Sequence, residues 1–258
     1  MPRMPQAEWL GEHAPVQSDG KRRTMTRWDI VCVHTIVGFA PAHQAHFSTW
    51  KNGKIGQSRD TAFRSAANLD GNHRVIAIEN EDAAQDVPLS DEQVEACAKI
   101  LAWAHRQHGV PLQLCPDSKP GSRGLAYHRQ GIDGDFSDFD FPGRVAGGEV
   151  WSESRGKTCP RDTRIRQLHL YLARAKDIVN GDDMTPEDFT KIRAMIREEL
   201  EAERADAARA VWAHPLQNRL STSTTSVVTT PAGTLLSYTH EDASRIPPKA
   251  EVPTDPKA

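Results

Sequence analysis

The stretch Trp28–His34, reading WDIVCVH, constrains this chain more than any other, because β-branched and apolar residues occupy both of its alternating faces. A strand wetted on one side alternates apolar with polar residues. One that is apolar on both sides needs cover on both, which makes it an inner strand of a layered sheet. Arg74–Glu79, reading RVIAIE, repeats the pattern. Two such strands predict an α/β fold, a mixed central β-sheet flanked by helices. His34 then stands at the carboxyl end of the first strand, and Glu79 where the second runs out.

Other elements follow from local signals. Asn52-Gly53 supplies the positive φ angles of a tight turn and predicts a hairpin with strands near 46–50 and 55–59. Ser90 followed by Gln93 is a capping-box pattern. After it Val94, Cys97, Ile100, Leu101, Ala104 and His108 recur on one helical face until Gly109 and Pro111. Leu112–Cys115 reads as a further strand. Pro116–Gly156 is rich in Gly, Asp, Ser and Arg without periodicity and predicts a long ordered loop, a feature that is usually functional. A helix is expected over Pro160–Val179, with Ile165, Leu168, Leu172 and Ala175 on its inner face.

Asn180-Gly181 ends that helix, and Thr185-Pro186 with the acids after them opens another, which places a domain boundary between them. The chain thus divides into an N-terminal extension (1–24), a main domain (25–180), a helix (185–212) and a Ser/Thr/Pro-rich tail (213–258). The helix carries Phe189, Ile192, Ile196 and Leu200 at helical spacing, a possible oligomerisation segment, whereas most of the tail cannot offset its ordering entropy.

Charge and hydropathy exclude several classes. The 258 residues are 38% hydrophobic and 26% charged, with a net charge of −3, a pI near 6.4 and a mean hydropathy of −0.60. No basic stripe exists to neutralise phosphates, so nucleic acid is not an expected partner. No run of about 18 apolar residues predicts membrane insertion, and no apolar segment of an export signal follows Lys21, Arg22 and Arg23. Cys32, Cys97, Cys115 and Cys159 are too widely and irregularly spaced for a disulfide framework, which points to synthesis in a reducing compartment.

A catalytic zinc site needs three protein ligands and one open position, and two imidazoles with a thiolate are suitable donors. His34, His128 and Cys159 could supply them. On spacing alone other readings stand beside this one: a strand-end His held by a structural hydrogen bond, a Cys serving as a small buried hydrophobe, or a Cys159 nucleophile with His128 as its base.

Six phrases decide further: VHT at 33–35, AHF at 45–47, the hairpin WKNGKIGQSRD, the strand VIAIEN, LAYHRQG at 125–131 and RGKTCPRDTRI at 155–165. Together they resemble the type-2 N-acetylmuramoyl-L-alanine amidases, whose fold is shared with peptidoglycan-recognition proteins. The chain looks most similar to endolysin amidase domains of phages of actinobacteria, over residues 25–178. The resemblance implies one zinc per chain, held by His34, His128 and Cys159, and hydrolysis of the amide joining N-acetylmuramic acid to L-alanine in peptidoglycan. It implies Lys157 as a fixed cation for the oxyanion and Glu79 as proton acceptor and donor, with Glu81 as the neighbouring candidate. Two positions depart from the family pattern: Ala45 stands where phage relatives often carry a catalytic Tyr, and Ala67 where they carry a substrate-contacting His. Substrate-binding residues are not implied. An endolysin of this kind would collect in the host cytoplasm and reach the wall once a holin opens the membrane. The alternatives are a peptidoglycan-binding module without catalysis and the Cys159/His128 thiol peptidase.

Overall fold

The computed structural model describes residues 2–14, 19–82, 87–137 and 140–181, together with 194, 198, 216–217 and 229–230. They belong to two compact units, Met1–Thr185 and Pro186–Ala258.

The first unit is built on β2 (Ile30–Thr35), in which Ile30, Val31, Cys32 and Val33 are all fully buried. Burial of each such aliphatic side chain contributes about 1.5–3 kcal/mol. β2 lies between β5 (Val75–Asn80) and β6 (Gly124–Tyr127), parallel to both. On the far side of β5 runs β3 (Phe47–Thr49), then its antiparallel partner β4 (Ile55–Gln57), and finally β1 (Glu8–Trp9), parallel to β4. The sheet is therefore mixed, in the order β1-β4-β3-β5-β2-β6. The hairpin turns at Gly53, whose φ of 81° is open to glycine at little steric cost and whose N–H donates to the Trp50 carbonyl at 2.9 Å.

Register sorts the side chains. His34 pairs with Glu79, Cys32 with Ala77 and Ala126, and Ile30 with Val75. Paired residues of parallel strands share a face, and successive residues alternate. One face thus carries Ile30, Cys32, His34, Val75, Glu79 and Ala126, and it is capped by Trp151 and Cys115. The other carries Phe47, Ile78 and Asn80 and is covered by α1 (Asp91–His108). Trp103 sets its ring edge-on to Phe47 at 5.6 Å, and the Cys97 thiol donates to Asn80 Oδ1 at 3.0 Å. α1 starts from the expected capping box, with Ser90 Oγ accepting from the Gln93 amide at 3.1 Å and Gln93 Oε1 accepting from the Ser90 amide at 3.2 Å. It ends at Gly109 in the left-handed region.

Three expectations change. Leu112–Cys115 makes only an isolated bridge, Leu114 to Leu125, and the edge strand is β6, inside the segment read as loop. Four residues opening on glycine are too few to display an alternation. The single helix expected over Pro160–Val179 is two, α2 (Asp162–Ile165) and α3 (Leu168–Asn180), and α3 packs against α1. At the break the Gln167 side chain pairs with both backbone groups of Leu89, accepting at 2.7 Å and donating at 3.1 Å. Residues 1–24, read as an extension, add β1 to the sheet edge and bury Met4, whose amide donates to Gln57 Oε1 at 2.9 Å.

In the second unit Leu216–Gln217 (β7) pairs antiparallel with Thr229–Thr230 (β8), and Ala194 and Glu198 are helical. Apart from these residues, the helix expected over 185–212, its role in oligomerisation and the tail 213–258 lie outside the described residues. Among the described residues no helix is long and apolar enough to cross a membrane.

Candidate metal centre

The sheet brings the three sequence-predicted ligands together. His34 ends the buried part of β2. His128 directly follows β6, in a 3₁₀ turn spanning His128–Gly131. Because β6 is hydrogen-bonded to β2, the two imidazoles meet, with ring centroids 4.2 Å apart. Cys159 approaches from the segment before α2. That segment is held by the Arg129 amide donating to the Cys159 carbonyl at 3.0 Å and by Thr35 Oγ1 donating to the Pro160 carbonyl at 2.8 Å. One ligand atom from each of His34, His128 and Cys159 lies within 4.8 Å of the others.

Each ring is oriented through the nitrogen it does not need for a metal. His128 Nε2 lies 2.9 Å from the Trp151 carbonyl oxygen, while its Nδ1 is buried with no partner in the protein. Trp151 can stand there because residue 131 is glycine: a Cβ on Gly131 would lie 2.2 Å from the indole. His34 Nε2 lies 3.1 Å from Asn68 Oδ1. A buried imidazole nitrogen without a partner is costly. Here the cost falls on an atom facing two other donors, which is what a metal site requires, with each second nitrogen fixed as second shells usually fix it.

Burial controls the charge states. It holds His34 well below the usual histidine range, helped by neighbouring His128, and brings His128 down to about 4. Both rings are therefore neutral, the form that binds metals. Burial, and secondarily the Glu79 carboxylate, push the Cys159 thiol up to about 12, against the Thr35 amide, which donates to Sγ at 3.3 Å. Such a thiol is a poor nucleophile as it stands, whereas an adjacent cation would favour its thiolate. The donor set fits a zinc ion.

Glu79 and Glu81 separate on geometry. Glu81 spends both oxygens on backbone amides, Oε1 on Ala40 at 3.3 Å and Oε2 on Lys51 at 3.0 Å. Glu79 places Oε1 3.9 Å from His34 Nδ1 and leaves Oε2 buried without a partner. Burial lifts its carboxyl to about 7, against Lys157 and a hydrogen bond from Gln44. Lys157 is exposed, and its charge acts on His34, His128, Glu79 and Cys159 together. At the two departures, Ala45 is fully buried and uses its carbonyl to accept from Arg59 Nε at 3.0 Å, and Ala67 is half-buried. Sequence reasoning missed Asn68, Gln44 and the Trp151 carbonyl.

The model of the N-acetylmuramoyl-L-alanine amidase family matches residues 11–162. No curated protein matches the sequence. Among solved structures, the chain is similar to the endolysin N-acetylmuramoyl-L-alanine amidase LysCS from Clostridium intestinale URNW, at 12% identity and a TM-score of 0.44, covering 66% of this chain and 97% of that one. It is similar to the Staphylococcus aureus hydrolase AmiA in complex with its ligand, at 16% identity and a TM-score of 0.44, covering 70% and 87%. It is also similar to the drosophila peptidoglycan recognition protein SD, at 15% identity and a TM-score of 0.41, covering 62% and 94%.

Proposed function

The chain belongs to the N-acetylmuramoyl-L-alanine amidase family, and on that premise we propose that it cuts the amide between N-acetylmuramic acid and L-alanine in bacterial peptidoglycan, using one zinc ion held by His34, His128 and Cys159. The observation that carries the reading is the meeting of these three donors within 4.8 Å around a buried, partnerless imidazole nitrogen.

Bound there, zinc supplies Lewis acidity, which polarises a carbonyl and acidifies water. The protein supplies the rest. Glu79, with a carboxyl titrating near neutrality, takes a proton from the attacking water and returns one to the leaving amine. Lys157 sets a fixed positive charge where negative charge develops on the carbonyl oxygen. The Trp151 carbonyl holds the His128 imidazole still while this happens.

The phrases that resemble endolysins of actinobacterial phages support a wider role. In it the enzyme is made in the host cytoplasm and degrades the wall once a holin opens the membrane, with residues 186–212 joining copies of the chain. Comparing the mass in solution with and without residues 185–258 tests the last point.

The central test is the zinc content of purified protein, measured beside muropeptide hydrolysis before chelation, after it and after zinc add-back. The expected result is about one zinc per chain and a reversible loss of activity. Metal-free protein that still cuts overturns the reading, and zinc without cutting would make the chain a binding module.

A further inference from the structure

Asn68 has no role in the catalytic scheme above, yet it is fully buried beside the centre. Its side chain spends its hydrogen bonds on two side chains of β2. Oδ1 lies 3.1 Å from His34 Nε2, and Nδ2 donates to Cys32 Sγ at 3.3 Å. Cys32 and His34 are two residues apart on one strand and share the site-facing side of the sheet, so the amide lies along that face and bridges them.

The turn that presents Asn68 is itself fixed. Asn72 Oδ1 accepts from the Asn68 amide at 2.8 Å, from the Ala67 amide at 3.1 Å and from Ser65 Oγ at 3.2 Å. The Gly71 amide then donates to the Asn68 carbonyl at 2.7 Å. One asparagine thus shapes the backbone so that another can reach into the sheet. A buried asparagine serving only the fold would be expected to satisfy backbone groups with its side chain, as Asn72 does. Asn68 instead points at an imidazole.

We infer that Asn68 is a positioning residue for the metal centre: its Oδ1 accepts the Nε2 proton of His34 and so presents Nδ1 of that ring as the ligand atom. This rests on the zinc reading above. With the amide turned the other way, an N–H would face His34 Nε2, the ring proton would sit on Nδ1, and the ligand lone pair would be lost. The Trp151 carbonyl does for His128 what Asn68 does for His34, so both imidazoles are held with the proton on Nε2. Loss of such an outer partner typically lowers metal affinity by about 10- to 100-fold.

The test measures zinc affinity by competition with a chromophoric chelator for wild type, Asn68→Ala and Asn68→Asp. Asn68→Asp keeps an acceptor at the Oδ1 position. Wild type that binds no zinc would sink the zinc reading itself. Given wild-type binding, a loss of about 10- to 100-fold in Asn68→Ala with near wild-type affinity in Asn68→Asp supports the inference. Unchanged affinity in Asn68→Ala overturns it, and so does an equal loss in both variants. A long-range proton–nitrogen NMR spectrum of metal-free wild type reads the same point without relying on a truncated core: His34 should carry its proton on Nε2, and a proton on Nδ1 would refute the assignment.

Discussion

Glu79 Oε1 lies 3.9 Å from His34 Nδ1, and the two residues are register partners across β5 and β2. The sheet thus sets the carboxyl beside the ligand without making it one of the three donors that converge. Glu79→Gln keeps the shape and removes the proton acceptor. Its kcat on muropeptides should fall by about 10²- to 10⁴-fold, the usual worth of general acid–base catalysis. Zinc content should stay at the wild-type level. Loss of zinc in this variant would mean that Glu79 supports the ligand rather than the chemistry.

Lys157 is exposed, so its charge reaches the site through partly screened space. Removing it should cost less than removing a buried oxyanion donor, which typically costs 10²–10³-fold. Lys157→Ala should lower kcat by about tenfold with KM little changed. Added salt should slow the wild type more than the variant, because screening weakens only the charge that is present. Equal salt sensitivity of the two proteins would count against this role.

Sequence and structure agree where one residue type carries its own signal. The buried strands at Ile30–Thr35 and Val75–Asn80 announce themselves by being apolar on both faces, and Ser90 with Gln93 marks the start of α1. His34, His128, Cys159, Glu79 and Lys157 are expected from the resemblance; of these the fold brings His34, His128 and Cys159 together and sets Glu79 beside His34. What escaped depends on contacts that leave no local trace. The Trp151 carbonyl is a backbone atom, common to every residue type. Asn68 matters through Cys32 and His34, 36 and 34 positions away. β6 is four residues long, and the neighbour that identifies it as a strand is β2. Glu81 resembled Glu79 in sequence and differs only in that its oxygens are already engaged.

Arg164 and Asp82 form a fully buried pair, with Nη2 donating to Oδ1 at 2.8 Å. Arg164 also donates to Thr35 Oγ1 at 3.2 Å and to the Val87 carbonyl at 3.0 Å, which ties α2 to the ends of β2 and β5. Breaking the pair removes the nearer of two guanidinium partners of Asp82, whose Oδ2 keeps Arg161 Nε at 3.7 Å, and costs up to about 3–5 kcal/mol. Arg164→Met should lower the unfolding free energy by that amount in urea titration. It should also weaken zinc binding, since the Thr35 hydroxyl that donates to the Pro160 carbonyl loses its own donor. A change below about 1 kcal/mol would show that Arg161 alone compensates Asp82 or that the carboxylate accepts a proton cheaply.

His46 contributes to the pH dependence of stability. It is fully buried, with Nε2 3.0 Å from the Phe63 carbonyl and Nδ1 accepting from the Ala77 amide at 3.1 Å. Burial first, then the Arg59 charge, depress its pKa from 6.5 to about 3. A histidine whose folded pKa lies below its unfolded value is neutral in both states above pH 6.5, and its contribution is fully present there. As pH falls from 6.5 towards 3 the unfolded chain takes up a proton that the folded chain refuses, and stability is lost. Between pH 7 and pH 5 the loss from this one group is about 2 kcal/mol, fixed mainly by the unfolded pKa. Unfolding free energies of wild type and His46→Gln, measured at pH 7 and pH 5, should therefore differ in slope by about that amount, with the variant less stable at pH 7 but less sensitive to acid. Parallel pH profiles for the two proteins would show that His46 is protonated in the fold at pH 5, and that the acid sensitivity lies elsewhere.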